Sequence, residues 1–557
     1  MAESQKPGRS LIGIAGIVAV ATLVSKLFGL FRQQAIAAAF GNGVVAGAYN
    51  FAYIIPGFLL ILLGGINGPF HSALVSALAK RKKEEVAPIV ESITTLVVGV
   101  LLIVTIGLVV FADPLMHLVA PGLFATPEQA AARGVSPLEY QNLVQTRAIA
   151  IQQFRIMAPM AILAGLIGIG FGTLNAADQY WLPSISPLLS SLTVLIGLGW
   201  LGWSLGSQVT LPQYAMLGGA VLAWSTVAGA VLQWLVQLPV QWQSGLGGFR
   251  PRFDFRRPEV QDVIKIMGPA TFSSGMLQIN VWTDMFFASY IPNAEAAVSA
   301  MGYAGLLAMT PLGILSNVIL VPLMPVFSRL SDPENWAELK QRIRQGLLTT
   351  ALTMLPLSAL MIALALPIVR VVYERYAFDK DASLLTASVL IAYSVGMFVY
   401  LGRDVLVRVF YGLGDADIPF RISVVNIFIN ALLDFLLFKP FGAPGLVLAT
   451  VGVNLISLVV MLWILNRRLN GLPLLAWSVP IAGLAGASAI AGLVAWGTLQ
   501  VLEQAWGTQG FLILLLQLAI SSLTGFAAFA LIATQLKLPE VNFFVNRLKQ
   551  KMSRRSR

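Results

Sequence analysis

Lys26 and Arg32 lie within one long apolar run, LIGIAGIVAVATLVSKLFGLFRQQAIAAAFG, residues 11–41. Burying either cation at the middle of a bilayer costs roughly 2.5–3.5 kcal/mol even on lenient insertion scales, so such side chains usually face a polar cavity and meet an anion or a carboxylate. Two readings stand side by side. Either this segment lines a hydrated, anion-attracting chamber, or both cations lie near its end and snorkel to the interface. On a helix their Cβ directions differ by roughly 120°, so only the long side chains can bring the two charges together. Arg155 and Arg403 lie in other apolar runs. Guanidinium forks match phosphate oxygens, and Lys26 and Arg32 with Arg155 or Arg403 opposite would suit a pyrophosphate. Asp404 and Arg408 are four apart and are expected to pair on one helix face, leaving Arg403 as the uncompensated cation. Asp284 is a further intramembrane carboxylate, and Asn430 and Asp434 are again four apart. Their oxygens can converge on a hard monovalent cation or a proton. The alternative is a hydrogen bond between helices.

Positioning these groups requires a membrane scaffold. The 557 residues are 57% hydrophobic and only 11% charged, against about 25% charged in soluble globular chains. Hydropathy marks about fourteen spans, from Leu11–Ala39 to Leu475–Trp496 and Phe511–Ala533, with Ile422–Leu437 unusually short. There is no cysteine, which excludes disulfides, thiol nucleophiles and thiolate metal sites. Only His71 and His117 could build a histidine site, and His71 is expected to pack or hydrogen-bond within its helix. The first apolar run is too long for a signal-peptide core and reads as retained. No long soluble loop carries a catalytic cluster, so no enzyme is expected.

The net charge of +11 is concentrated in alternate connections. Lys80–Lys83, Arg250, Arg252, Arg256, Arg257, Arg329, Lys340, Arg342, Arg344, Arg467 and Arg468 share one side with both termini. The positive-inside rule makes that side, and both ends, cytoplasmic. The charge thus reads as topology and not as a nucleic-acid footprint. Asp113 to Arg147 is the longest opposite connection, and the basic tail after Leu538 could lie on anionic lipid. Pro56, Gly64, Gly65, Gly68, Pro69, Pro159, Pro311, Gly313, Pro322 and Pro325 are expected to break helices along a transport pathway.

FGTLNAADQYWLP, Phe171 to Pro183, and FYGLGDADIP, Phe410 to Pro419, share an aromatic-glycine helix end, an Asp-containing turn and a helix-opening proline. Their offset of roughly 240 residues suggests two parallel six-helix halves with a site at their interface. The fold expected is therefore all-α and polytopic, with two pseudo-symmetric lobes, 1–240 and 241–470. Two further helices occupy 471–535, and a basic tail occupies 536–557.

The motifs Ser25-Lys26-x-x-Gly29-x-x-Arg32 with Phe40-Gly41, Gly172-x-Leu174-Asn175 with Pro183 and Pro187, Met267-Gly268-Pro269-Ala270 with Phe287-Ala288-Ser289, Ala392-Tyr393-Ser394-Val395-Gly396, and Phe410-Tyr411-x-Leu413-Gly414-Asp415-x-x-x-Pro419 run through most of the chain. In their order and spacing the sequence resembles the MurJ (MviN) lipid II flippases of the multidrug/oligosaccharidyl-lipid/polysaccharide exporter superfamily. The resemblance implies a bacterial inner-membrane protein with fourteen helices, a central cavity open alternately to each side, and a groove near Leu475 to Ala533 for a polyprenyl tail. It places Lys26 and Arg32 at the substrate pyrophosphate. It maps the sodium site of some members onto Asp284, Asn430, Asp434 and Thr450, with sodium or the membrane potential as driving force and no other cofactor. A monomer acting on a polyprenyl-diphosphate-linked saccharide in the bilayer is implied. The chain departs from the family at Gly47, where members carry an acidic residue, and near Leu60, Ile61 and Leu306, where they carry arginines. The alternatives are a flippase for another polyprenyl-linked saccharide and a cation-coupled drug exporter.

Overall fold

Hydrocarbon offers backbone N–H and C=O groups no partners, so each spanning segment must satisfy them internally as a helix. A computed structural model describes residues 11–65, 71, 74, 75, 78, 83–248, 250–265, 267 and 279–537, with side chains from residue 20 in the first helix and from residue 85 in the third. It is helical, with no strand among the described residues. The principal helices are α1 (Leu11–Phe40), α2 (Val44–Gly64), α3 (Lys83–Val110), α4 (Pro137–Met157), α5 (Met160–Ala176), α6 (Pro187–Leu205), α7 (Ala215–Leu235) and α8 (Ile279–Ala288). They continue with α9 (Ala294–Arg329), α10 (Trp336–Ala363), α11 (Lys380–Val395), α12 (Met397–Gly412), α13 (Asp417–Phe441), α14 (Ala443–Arg468), α15 (Leu474–Trp506) and α16 (Phe511–Gln535). Among the described residues eleven helical stretches are long and apolar enough to cross a membrane, and the bent pair α4–α5 makes a twelfth. With α1 and α8, the described end of the seventh span, this set is consistent with fourteen. Gly68, Pro69, Lys80–Lys82, Gly268–Ala270, the N-terminal cations and the basic tail lie outside the described residues.

The chain clusters into two compact units. One runs to Ser299 and takes in Arg375–Phe378; the other holds Ala300–Glu374 and everything from Asp379 onward. The division thus falls within α9 and not at residue 240, and α15 and α16 cluster with the second unit.

Several boundaries differ from the hydropathy reading for local reasons. The eleventh span extends to the 25-residue α13, because Asp417, Arg421 and Lys439 at its ends are helical without being apolar. The connection from Asp113 to Arg147 is itself mostly helical, with Pro121, Pro127 and Pro137 at helix starts, where a missing N–H costs nothing. Capping boxes at Thr126 and Ser136 fix two of those starts. Pro311, Pro322 and Pro325 do not break α9, which continues through all of them. Pro159 does mark a break as expected: α4 and α5 bend there by 42°.

In the first unit, packing is by close backbone approach, since lipid tails are as apolar as leucine and give helices little hydrophobic reason to associate. Ala164 and Gly168 form a small-xxx-small ridge on α5 against the end of α2. A Cβ on Gly64 would lie 3.0 Å from the Ala164 carbonyl oxygen, and one on Gly168 would land on the Leu63 carbonyl. In the second unit α15 and α16 lay small residues against α10: Ala487, Ala491 and Ala533 join Ala351 in one core, and a Cβ on Gly492 would lie 3.1 Å from the Ala359 carbonyl oxygen. The opposite faces carry exposed Leu475, Leu493, Leu512, Leu523 and Leu531, which suits contact with lipid.

The two repeated segments end their helices in the same way. The Gln179 N–H returns to the Leu174 carbonyl and the Asp415 N–H to that of Phe410, both at 2.9 Å. Asp178 and Gly414, the residues just before these donors, have φ of 59° and 75°. This is the left-handed C-terminal closure of a Schellman turn. In both halves a glycine admits a crossing chain: a Cβ on Gly172 would lie 2.8 Å from Leu74 Cβ, and one on Gly412 would lie 2.7 Å from Phe327 Cβ. Asp415 also accepts from the Ile418 N–H at 3.2 Å and from Arg468. Burial opposes its charge, but these donors outweigh it and hold the carboxyl below its ordinary range.

Gly168→Ala is expected to push α5 off Leu63 and cost about 1–3 kcal/mol, the usual penalty of overpacking. The thermal midpoint in detergent should fall. Gly99→Ala, which meets nothing within 4 Å, should leave it unchanged or raise it.

Candidate functional site

Of the two cations on α1, Lys26 is exposed and Arg32 half-buried. Neither forms an ion pair among the described residues, and the buried Nε of Arg32 has no hydrogen-bond partner. Arg32 lies near α2, where its charge bears on the phenols of Tyr49 and Tyr53. Those rings stack, with centroids 5.3 Å apart and planes 18° from parallel. The Tyr49 hydroxyl meets Thr226 Oγ1 of α7 at 3.1 Å, and Thr226 donates its own hydrogen to the Leu222 carbonyl. Tyr53 lies along Gly57, where any Cβ would land on its ring. The Arg32 guanidinium is thus half-buried with no carboxylate partner among the described residues, and burial makes an uncompensated charge costly.

The other predicted cations behave differently. Arg155 is exposed in the last turn of α4, where a cation complements the helix C-terminus. Arg403 is not the uncompensated cation that the four-residue spacing predicted. It pairs with the adjacent Asp404 at 3.3 Å, while Arg408 points outward and is exposed. Both side chains are long enough to meet across the roughly 100° that separates neighbours on a helix.

Asp284 is half-buried on α8 in the first unit, whereas Asn430, Asp434 and Thr450 belong to the second. Asn430 and Asp434 are fully buried, and the Asn430 amide donates to Asp434 Oδ2 at 2.7 Å. That hydrogen bond uses one oxygen of the Asp434 carboxylate and the amide nitrogen of Asn430. Thr450 Oγ1 is directed to the Leu446 carbonyl at 3.4 Å, and its own carbonyl accepts from Asn454. Carboxylate, amide and hydroxyl are suitable ligand types for sodium. Besides the hydrogen bond between these two residues, Asn430 Oδ1 and Asp434 Oδ1 are buried and make no hydrogen bond among the described residues. A second polar pair, Asn426 Nδ2 to Ser457 Oγ at 2.8 Å, ties α13 to α14 a turn away.

Several participants escaped the sequence reading. The glycine at position 47 has a steric cause: a Cβ there would strike Cα and Cβ of Glu295. Glu295, only 4% exposed, brings a carboxylate to that place from α9 and is hydrogen-bonded by Asn142. His71 Nε2 accepts from Asn175 of α5 at 2.7 Å, which gives the Gly172-x-Leu174-Asn175 motif a structural task. Ser289 accepts from the Gly122 N–H at 2.9 Å, joining the helical connection to the end of α8. Tyr49 and Tyr53 were legible only as aromatics four apart on one helix. At Leu60, Ile61 and Leu306 the side chains are apolar and carry no charge, and Ile61 is 63% exposed.

A family model described as Lipid II flippase MurJ matches residues 36–517. A protein from Synechocystis sp., named as a probable lipid II flippase MurJ, is 55% identical over 554 residues and covers 100% of both chains. The lipid II flippase MurJ of Burkholderia cenocepacia is 26% identical over 497 residues, covering 88% of this chain and 89% of its own. Among solved structures, a lipid II flippase MurJ in an inward closed conformation matches with a TM-score of 0.71 at 21% identity, over 94% of this chain and 99% of the other. An inward-facing multidrug-resistance MATE transporter of the MOP superfamily matches at 0.60 and 14% identity, over 82% and 98%. At such identities the structural likeness concerns the fold alone.

Asp434→Ala should strand the buried Asn430 amide and cost about 1–3 kcal/mol, whereas Asp434→Asn, which keeps an acceptor oxygen, should cost less. Thermal unfolding in detergent, with sodium and with potassium, checks both; a midpoint for the parent chain that is independent of the cation accords with a closed hydrogen bond.

Proposed function

The chain belongs to the MurJ family of lipid II flippases, and we propose that it moves lipid II, the lipid-linked peptidoglycan precursor, from the inner to the outer leaflet of the bacterial cytoplasmic membrane. The supporting observation is the half-buried Arg32 guanidinium, which lacks a carboxylate partner among the described residues and whose Nε has no acceptor. A diphosphate supplies the missing charge and acceptors in one group. Lys26 on the same helix adds a second cation, as a mobile point charge.

The reaction is transport and not catalysis: no bond forms or breaks, and the protein exposes one anion site to each side of the membrane in turn. The differential affinity of the two conformations for substrate then sets the direction in which binding shifts their populations. The apolar outer faces of α15 and α16 are suited to hold a polyprenyl chain beside the protein while the head group crosses. The charged connections orient both termini to the cytoplasm. The membrane potential can act directly on a net charge carried across, at about 2.3 kcal/mol per charge per 100 mV. A single chain contains all these parts, in keeping with a monomer.

Arg32→Ala should remove about 2–5 kcal/mol of interaction with the bound anion and abolish transport, and Lys26→Ala should reduce it severely, with membrane insertion intact for both. Transport of defined lipid II into vesicles by the purified variants measures this. Normal transport by both would move the anion site elsewhere. Cells depleted of the parent chain should stop exposing lipid II on the outer leaflet; a normal rate of exposure would refute the assignment.

A further inference from the structure

Tyr49, Tyr53 and Gly57 follow one another at four-residue intervals on a single face of α2, the face that Arg32 approaches from α1. The two phenols differ in one respect. Tyr49 spends its hydroxyl on Thr226. Since Thr226 gives its hydrogen to Leu222, Tyr49 is the donor, and its ring is fixed from both the stack and the far helix. The Tyr53 ring is fixed as well, between Tyr49 and the backbone at Gly57. Its hydroxyl, however, makes no hydrogen bond among the described residues, and the residue is only half-buried. A phenylalanine would fill the same space and stack equally well, so packing does not explain the oxygen.

We propose that Tyr53 is a further substrate-binding residue, whose O–H donates to a diphosphate oxygen of the lipid held by Arg32, and that Tyr49 is its positioning residue. An unpartnered O–H donor and an uncompensated guanidinium on facing helices are complementary to the same ligand chemistry: several acceptor oxygens carrying negative charge. Among the described residues neither group has a carboxylate partner, so neither must break a contact with them before binding. The stack removes rotamer freedom that would otherwise be lost on binding. Thr226 extends the arrangement to α7, so three helices set the position of one oxygen. The inference rests on the reading of Arg32 as the diphosphate site and names a second group within it.

The test uses the full chain in lipid nanodiscs, with farnesyl diphosphate as probe and farnesol as its uncharged counterpart. Calorimetric titration should show Tyr53→Phe weakening the diphosphate about tenfold or more, as expected for a hydrogen bond to a charged group, with farnesol unaffected. The thermal midpoint should not move, because the lost hydroxyl had no protein partner. Arg32→Gln should weaken the diphosphate more strongly, and adding Tyr53→Phe to it should cost less than Tyr53→Phe alone, since both act on one ligand group. Unchanged affinity in Tyr53→Phe, a midpoint that falls with it, or full additivity with Arg32→Gln would each overturn the role of Tyr53. Unchanged affinity in Arg32→Gln would instead overturn the diphosphate site itself.

Discussion

An arginine that is partly withdrawn from water and has no carboxylate to meet it is the constraint to which the rest of the first unit answers. In a membrane protein such a charge is expensive unless a polar cavity or an anion receives it. Among the described residues no carboxylate neutralises Arg32; its neighbours on α2 are two tyrosine rings, one of them anchored to Thr226. Arg403, by contrast, is paired with Asp404 on its own helix at 3.3 Å.

Holding such a site requires helices set at fixed, short separations, and the chain achieves this with small residues. Gly168 against Leu63, Gly172 against Leu74 and Gly412 against Phe327 are places where backbone passes so near that a methyl group would not fit. Two of these glycines belong to the repeated helix ends, whose left-handed closures also agree. The internal repeat is therefore a repeat of a physical device: a glycine that admits a crossing chain, followed by a turn that stops the helix and an Asp-bearing connection. Gly47 shows the same logic from the other direction, because the backbone of Glu295 takes the space that a side chain there would need. A carboxylate reaches that neighbourhood on a different helix.

Much of this was legible in the chain itself. Apolar runs of sufficient length left helices as the only solution, since bilayer interiors satisfy no backbone group from outside. The cations of α1 stood out because their type contradicted their surroundings. Motif order gave the family, and the aromatic-glycine ends gave the repeat. Spacing failed where side-chain reach mattered more than helical register. Asp404 pairs with Arg403 and not with Arg408. Proline was right at one place and wrong at another: the expected break occurs at Pro159, while Pro311, Pro322 and Pro325 sit within an unbroken α9.

The sequence by itself determined that the chain is helical and membrane-spanning, where its charges lie and which family it joins, because these follow from composition, period and local motif. Only the tertiary structure decided which charges are paired and which have no ion pair among the described residues. That outcome depends on distances between residues far apart in the chain, such as Tyr49 and Thr226 or Gly47 and Glu295. No local pattern encodes such distances; close packing sets them, one small residue at a time.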